Sequence, residues 1–127
     1  MNTDPIADML TRIRNATMRG NAEVVLPHSK IKAAIAELMQ ERGYLAGVKT
    51  IQNGVFTTLA LQLPAAGAIS SLRRISKPGR RIYAPASKIP RVQNGHGMMI
   101  VSTSKGLMTD DQARKARLGG ELICEVT

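Results

Sequence analysis

Three hydroxyl side chains and a lysine follow directly on a short apolar run near the carboxyl end of the chain. The run covers residues 98–101, and residues 102–106 then read Ser-Thr-Ser-Lys-Gly. A buried strand would hold these groups at its end as a fixed set of short donors and acceptors. Because a hydroxyl both donates and accepts hydrogen bonds, such a set suits base edges and ribose 2′-hydroxyl groups. In a chain of net charge +9, this pattern indicates RNA binding.

The basic residues are concentrated in the middle of the chain. From Arg42 to Thr109, both included, there are ten Lys and Arg residues and no Asp or Glu. A field of one sign over this length suits a polyanion. The alternatives are an ordinary solvated basic face and an anionic membrane surface, although membrane binding usually needs a basic amphipathic helix. The centre of the stretch contains Arg73, Arg74, Lys77, Arg80, Arg81, Lys88 and Arg91.

The pattern around these residues predicts a second half that is mostly β with one short helix. Strands are expected at 69–76, 80–84, 98–102 and 121–126. The helix is expected at 109–117, because Thr109 and Gln112 form a capping box, and Gly119-Gly120 would end it. Asp110 and Asp111 suit the positive end of that helix, so we interpret them as structural.

The first half is predicted to form a helix, a strand, a helix and a hairpin. Asp4-Pro5 is a typical helix start, and Ser29 would cap the second helix. The two apolar stripes consist of Ile6, Met9, Leu10, Ile13 and Ala16, and of Ile31, Ala34, Ile35, Leu38 and Met39. Asn53-Gly54 predicts a type I′ turn between strands at 44–52 and 55–63. The fold class is therefore α+β, with small lobes at 1–64 and 68–127 joined by 64–67.

Several other functions are excluded by what the sequence contains. Residues 102–105 match the S-x-x-K pattern of some serine acyl-enzymes, but that chemistry needs the serine at a helix start, so we expect no enzyme and no cofactor. His28 and His96 are isolated, which argues against a zinc site. The single Cys124 lies in an apolar strand and is expected to be a small buried hydrophobe. No apolar run approaches the roughly 20 residues that span a bilayer, so no membrane partner is expected.

Four long motifs resemble the small-subunit ribosomal protein eight family over nearly the whole chain. They lie at residues 4–16, 76–83, 101–106 and 118–121, and the Ser29-Lys30 pair also matches. The resemblance implies two α+β lobes that bind a helix of the central domain of small-subunit ribosomal RNA early in assembly. It also implies a cytoplasmic or organellar ribosome, with neighbouring small-subunit proteins such as protein five as partners. Bacterial members of the family often also repress their own operon mRNA.

By the same resemblance, the serine-rich loop contacts an irregular part of an RNA helix, since regular A-form RNA hides its bases in a deep groove. Ser102, Thr103 and Ser104 would present hydroxyl and backbone groups to the RNA. Lys105 would meet a phosphate, and Gly106 would let the chain turn and the RNA backbone approach closely.

The resemblance assigns further candidate residues outside the loop. Tyr83 would stack on a base or support the loop, and core filling is the alternative. Glu121 would accept a hydrogen bond from a base amine, a 2′-hydroxyl or the serine-rich loop itself, and we favour the loop. The remaining RNA-binding candidates are Arg81 and Lys77, and, as a second patch in the first lobe, Thr11, Arg14, Asn15, Ser29, Lys30 and Lys32.

The chain departs from the family pattern at Glu125 and at residues 96–99 and 84–87. These departures concern the packing near Cys124 and local phosphate contacts. The alternative function is a free-standing regulator that binds mRNA or DNA with the same basic face. For DNA, the helix at 109–117, with Arg114, Lys115 and Arg117, would serve as the recognition helix.

Overall fold

The computed structural model describes residues 4–65 and 67–127. Within them lie three α-helices and two antiparallel sheets, which confirms the α+β class. The chain divides into two compact units, Pro5–Ile69 (the first unit) and Ser70–Thr127 together with Asp4 (the second unit). Residues 1–3 of the predicted first lobe and residue 66 of the predicted joint lie outside the described residues.

The first unit has the predicted order of helix, strand, helix, strand and strand. Its elements are α1 (Pro5–Met18), β1 (Glu23–Pro27), α2 (Lys30–Glu41), β2 (Gly47–Asn53) and β3 (Phe56–Gln62). Strand β3 lies in the centre of the sheet, antiparallel to both β1 and β2. The buried side chains of α1 are the five that were predicted.

The inner face of α2 differs from the predicted stripe. Lys32 and Ala36 are buried beside Ile35, whereas Ile31 is exposed and Ala34 is half-buried. Residues 32, 35, 36 and 39 follow the spacing of one helix face, and the long methylene stem of a lysine can cover apolar surface. The stripe is therefore rotated by about one residue.

The β2–β3 hairpin turns one residue later than predicted. Asn53 pairs with Phe56, so the two turn residues are Gly54 and Val55. Gly54 has φ +66°, and Val55 is not among the residues with positive φ. A positive φ at the first turn position only is typical of a type II′ turn, so the prediction of a type I′ turn at Asn53-Gly54 was wrong.

The second unit is mostly β with one short helix, as predicted. Its elements are β4 (Leu72–Arg74), β5 (Tyr83–Ala84), β6 (Met98–Thr103), β7 (Gly106–Thr109), α3 (Asp110–Ala116) and β8 (Gly120–Val126). Strand β8 pairs with β4 and β5 along one edge and with β6 along the other, and β6 also pairs with β7. The sequence analysis missed β7, which turns the serine-rich loop into the tip of a hairpin.

The strands expected at 69–76 and 80–84 are shorter in the structure. Ile100 pairs with Cys124 but Val101 pairs with Leu122, so β8 carries one extra residue, Ile123, at this point. Such a bulge interrupts a regular ladder, and the pairing of β4 with β8 ends at Arg74 and Cys124, beside Ile123. The N–H groups of Ile75 and Ser76 still donate to carbonyls of β8, but outside a regular strand.

The capping box of α3 is confirmed, but the end of the helix is not as predicted. The Gln112 N–H donates to Thr109 Oγ1 over 3.2 Å, and the Thr109 N–H donates to Gln112 Oε1 over 3.0 Å. The helix ends at Ala116, and Arg117 takes the left-handed conformation that ends it. Gly119 and Gly120 serve close packing instead, because a Cβ at Gly119 would lie 2.6 Å from the Ala84 carbonyl oxygen and one at Gly120 would collide with backbone atoms of β6.

The core of the second unit lies between the sheet and α3. It contains Ile89, Val92, Met99, Val101, Ala113 and Leu122. Cys124 is a free and fully buried cysteine, as predicted, and its burial raises the pKa of the thiol to about 12. Among the described residues, no helix is long and apolar enough to cross a membrane, and no group of three or more His, Cys, Asp or Glu could hold a metal ion.

Candidate nucleic-acid interface

Four side chains lie in one row across the second unit's sheet, beside the β6–β7 hairpin turn. Ser102 of β6 pairs with Leu107 of β7 and with Glu121 of β8, and Glu121 pairs with Tyr83 of β5. Directly opposed residues of antiparallel strands point to the same face. We call Tyr83, Glu121, Ser102 and Leu107 the strand-end row. Backbone pairing alone brings together three of the predicted RNA-binding residues.

The remaining residues of the serine-rich loop form the hairpin tip, Thr103–Gly106. Thr103 pairs with Gly106, and Ser104 and Lys105 form the exposed turn. Gly106 has φ +109°, a conformation that a residue with a Cβ rarely adopts. The predicted need for glycine at this position therefore has a backbone cause.

The hydroxyls of the loop are not equivalent. Thr103 Oγ1 donates to the Gly106 carbonyl over 2.9 Å and accepts the Lys105 N–H over 3.1 Å. Ser102 and Ser104 make no side-chain hydrogen bond to any residue in 4–65 or 67–127. The Thr103 hydroxyl thus holds the tip in shape, whereas the two serine hydroxyls are available to a ligand.

Glu121 is held by Arg81 and not by the serine-rich loop. Arg81 Nη1 donates to Glu121 Oε2 over 3.0 Å, and the carboxylate is mostly buried while the guanidinium is about half exposed. The hydrogen bond and the charge of Glu121 raise the pKa of Arg81. The pair therefore fixes Arg81 beside the strand-end row and offsets part of its charge.

Tyr83 is 68% exposed, so its side chain is not core filler. It lies at the β5 end of the strand-end row, next to Glu121 in the register. Lys77 is also exposed, in a tight turn that Lys77 and Arg80 close with two backbone hydrogen bonds of 3.0 and 2.9 Å. The buried Ser76 hydroxyl fixes this turn, because it accepts the Ile82 N–H over 2.7 Å.

The basic stretch contains no acid in sequence, but it is not free of acids in space. Arg73 pairs with Glu125 over 2.9 Å, and Arg74 pairs with Asp4 over 3.1 Å. All the carboxylates that pair with Arg73, Arg74 and Arg81 come from outside residues 42–109. The Arg73 pair also gives Glu125 a partner, so this departure from the family pattern is accommodated beside the buried Cys124.

The predicted patch of the first unit is only partly presented on the surface. Thr11, Arg14 and Asn15 are exposed, and their spacing places them on one face of α1. Lys30 is exposed at the start of α2. Ser29 is the N-cap, and its Oγ accepts the Lys32 N–H over 3.2 Å.

Lys32 is only 7% exposed. The prediction treated it like Lys30, because both lie in the first turn of α2, but the rotation of the helix face separates them. Its ammonium is therefore not presented to a ligand as that of Lys30 is.

Asp110 is structural, as predicted. It is buried, its Oδ1 accepts the Met99 N–H over 3.1 Å, and its Oδ2 pairs with Arg114 over 2.6 Å. The bond to Met99 joins α3 to β6, the first strand of the hairpin, and the pair with Arg114 holds the Asp110 carboxylate in place within α3. The partner of Asp110 across the fold was not visible in the sequence, because Met99 contributes only a backbone group.

Comparison with known proteins identifies the family of this chain. The family model described as ribosomal protein S8 matches residues 4–127. The chain belongs to the ribosomal protein S8 family. It is therefore a structural ribosomal protein and not an enzyme.

Curated relatives match over almost the full length of both chains. "Small ribosomal subunit protein uS8" of Mesomycoplasma hyopneumoniae (strain 7448) is 50% identical over 127 residues, which cover 98% of this chain and 96% of the relative. The protein of the same name from Caldanaerobacter subterraneus subsp. tengcongensis is 51% identical over 128 residues, covering 98% and 97%. That of Nitratidesulfovibrio vulgaris (strain DP4) is 47% identical over 126 residues, covering 99% of each chain.

Proposed function

We propose that the chain is a constituent of the small ribosomal subunit, that it binds a helix of the central domain of small-subunit ribosomal RNA, and that it supports subunit assembly. The observation that carries this proposal is the pair of available serine hydroxyls, Ser102 and Ser104, on a hairpin braced by Thr103. Groups that are ordered before binding lose little conformational freedom when the RNA arrives. The names of the curated relatives support the assignment to the small subunit.

The strand-end row and the hairpin tip would read an irregular element of the RNA helix. Bases displaced from regular stacking expose edges to the serine hydroxyls and a face to Tyr83. Lys105 would contact a phosphate, and Arg81 would be held toward the RNA backbone by Glu121. A hydrogen bond from a neutral hydroxyl depends on where the RNA group lies and not on the total charge of the RNA. The serine hydroxyls would therefore distinguish one RNA shape from another.

The exposed residues of the first unit would add contacts to the RNA backbone. These residues are Thr11, Arg14, Asn15 and Lys30, with the half-buried N-cap Ser29 beside them, and Lys77 of the second unit would act in the same way. Lys32 would support the start of α2 from its buried position. Such contacts raise affinity for any RNA and make binding sensitive to salt.

The family resemblance supports three further parts of the proposal. An mRNA element of the same shape would meet the same surface, so the chain's own operon mRNA is a second expected RNA ligand. Protein five is the expected protein neighbour, and the cytoplasm the expected location. The lobes predicted at 1–64 and 68–127 would contact the RNA separately.

Fluorescence anisotropy with a central-domain RNA hairpin, a scrambled hairpin and a DNA duplex tests the proposal. With about five phosphates engaged, log K should fall against log salt with a slope of roughly −4, and only the cognate hairpin should bind tightly at physiological salt. The chain should also co-sediment with small subunits in a sucrose gradient. Equal affinity for the three ligands, or absence from the subunit fraction, would favour a free-standing regulator instead.

A further inference from the structure

A basic cleft lies at the end of α3, outside the strand-end row and the hairpin tip. Its lining consists of Ala86, Ser87, Arg114 and Arg117, and we call it the helix-end cleft. Two guanidinium groups and one hydroxyl are the polar groups of this lining, and none of these four residues is acidic. Guanidinium and hydroxyl groups together are the usual donors to phosphate oxygens.

The two arginines of the cleft differ in how they are held. Arg114 Nη2 donates to Asp110 Oδ2 over 2.6 Å and to the Pro90 carbonyl over 3.1 Å, so its position is fixed and its charge is offset. Arg117 is exposed, and its side chain has no hydrogen bond or ion pair with any residue of the part that the structure describes. Arg117 therefore supplies the uncompensated positive charge of the cleft.

The backbone at Arg117 is unfavourable for an arginine. Its φ of 58° and ψ of 39° are left-handed, and its N–H donates to the carbonyls of Ala113 and Arg114 at the end of α3. Glycine is the preferred residue at this kind of helix end, and it would make the same backbone bonds without the steric cost of a Cβ. The fold thus requires a left-handed residue here but not a guanidinium, and strained positions of this kind are often functional.

The cleft is connected to the strand-end row through the backbone. A Cβ at Gly119 would lie 2.6 Å from the Ala84 carbonyl oxygen and 2.7 Å from Pro85 Cα, so the chain that follows Arg117 lies directly against the segment that follows Tyr83. Arg117 is four residues before Glu121, and four residues span at most about 14 Å. The Arg117 end of the cleft therefore lies within about 14 Å of the Glu121 position of the strand-end row.

We propose that Arg117 binds a backbone phosphate of the RNA in the helix-end cleft. Ser87 would be a second hydrogen-bond donor, and Arg114 would line the cleft in a fixed position. The proposal rests on the proposed RNA-binding function, and it adds a phosphate contact that neither the motifs nor the strand-end row contain. It also explains why an arginine occupies a position at which glycine would be more stable.

Three variants of the full-length chain test this proposal: R117G, R117K and, as a matched control, K115Q. Lys115 lies on the same helix and pairs with Asp111, outside the cleft. R117G should lower the salt slope by about 0.7–0.9 and weaken RNA binding roughly fivefold at physiological salt, on cognate and scrambled hairpins alike. It should at the same time raise Tm by roughly 2–5 °C, because the strain is removed.

R117K should keep the wild-type slope, and K115Q should leave slope and affinity unchanged. A wild-type slope in R117G would overturn the proposal, because Arg117 would then neutralise no phosphate. An equal loss of slope in K115Q would also overturn it, because the loss would then not depend on the position of the cation in the cleft. Failure of the proposed function has a different signature. The wild-type chain would then not prefer the cognate hairpin, whereas the effect of R117G on the slope would still be measured on the scrambled RNA.

Discussion

The strand-end row with its hairpin tip differs from the patch on the first unit in how its polar groups are held. In the row, strand pairing and the bonds of Thr103 and Glu121 fix short or ion-paired side chains. The first-unit patch instead presents Lys30 as a long side chain on a helix surface. Long side chains lose more rotamer freedom on binding than short ones. We therefore predict that the row provides specificity and the patch provides general affinity.

The largest effect is expected from Ser104→Ala. The change removes a hydroxyl but no charge, and it would leave an RNA group unpaired at a cost of about 1–3 kcal/mol. Cognate affinity should fall roughly 10- to 100-fold, with the affinity for scrambled RNA and the salt slope unchanged. Anisotropy titrations on both hairpins measure this, and equal losses on the two RNAs would contradict a specificity role for the row with its hairpin tip.

Thr103→Val should have a somewhat smaller effect, because it removes the hydroxyl that holds the tip and not a group that faces the ligand. We expect a loss of roughly tenfold on cognate RNA and faster amide exchange at Lys105, whose N–H loses its acceptor. Thr103→Ser keeps the hydroxyl and should restore both properties. Tight cognate binding by Thr103→Val would show that the internal bonds of the tip are dispensable.

Glu121→Gln tests whether geometry or charge dominates in the row. Coulomb attraction alone would make the variant bind RNA more tightly, since a negative charge is lost. If Glu121 acts by positioning Arg81, cognate affinity should instead fall by roughly threefold to tenfold, in line with the loss of a charged hydrogen bond. Glu125→Gln is the matched control, because Glu125 also lies on β8 and pairs with an arginine, Arg73, away from the row.

Lys30→Ala should weaken cognate and scrambled RNA equally, by roughly fivefold at physiological salt, and lower the salt slope by about 0.7–0.9. Lys49→Ala is the control, because Lys49 is also an exposed cation, on β2 of the same unit and outside the predicted patch. A loss confined to the cognate hairpin would assign base reading to the patch and remove the contrast between the two regions.

One expected effect concerns the stability of the sheet beneath the row, and it is absent at neutral pH and appears only at high pH. The folded chain holds the proton of Cys124 up to a pKa of about 12, whereas an unfolded chain releases it near 9.0. The stabilisation is therefore complete below pH 9.0 and lost as the pH rises toward 12. The free energy of unfolding should fall by at most about 1.4 kcal/mol per pH unit in this range. Urea denaturation of the wild type and Cys124→Ala should diverge above pH 9.0, and parallel curves would count against a dry sheet interior.

Some local signals predicted the structure correctly, whereas the local turn signal at Asn53-Gly54 and the signals that depend on distant partners did not. The capping box of Thr109 and Gln112 was predictable because both residues lie within one helical turn. The length of the acid-free stretch overstated the free charge, because the carboxylates of Asp4, Glu121 and Glu125 reach it only through the fold.

The same distinction applies to the errors within single elements. Strand β7 is four residues long and is defined by its pairing with β6, so no periodicity marks it. Lys32 was treated as exposed because it is a lysine. The inward face of α2 is rotated by one position relative to the predicted stripe, so residue type did not predict burial there. The row itself could not be predicted, because it depends on a register that includes the bulge at Ile123.

The internal bonds of Thr103 also have a consequence for the speed of RNA recognition. A hairpin tip that is closed before the ligand arrives needs no folding step on the path to the complex. The association rate constant should then be set by diffusion and by the attraction of the cations, so that it depends on ionic strength but hardly on Ser102 or Ser104. Substitutions of these serines should shorten the lifetime of the complex instead, and stopped-flow traces would show the change in the dissociation phase alone.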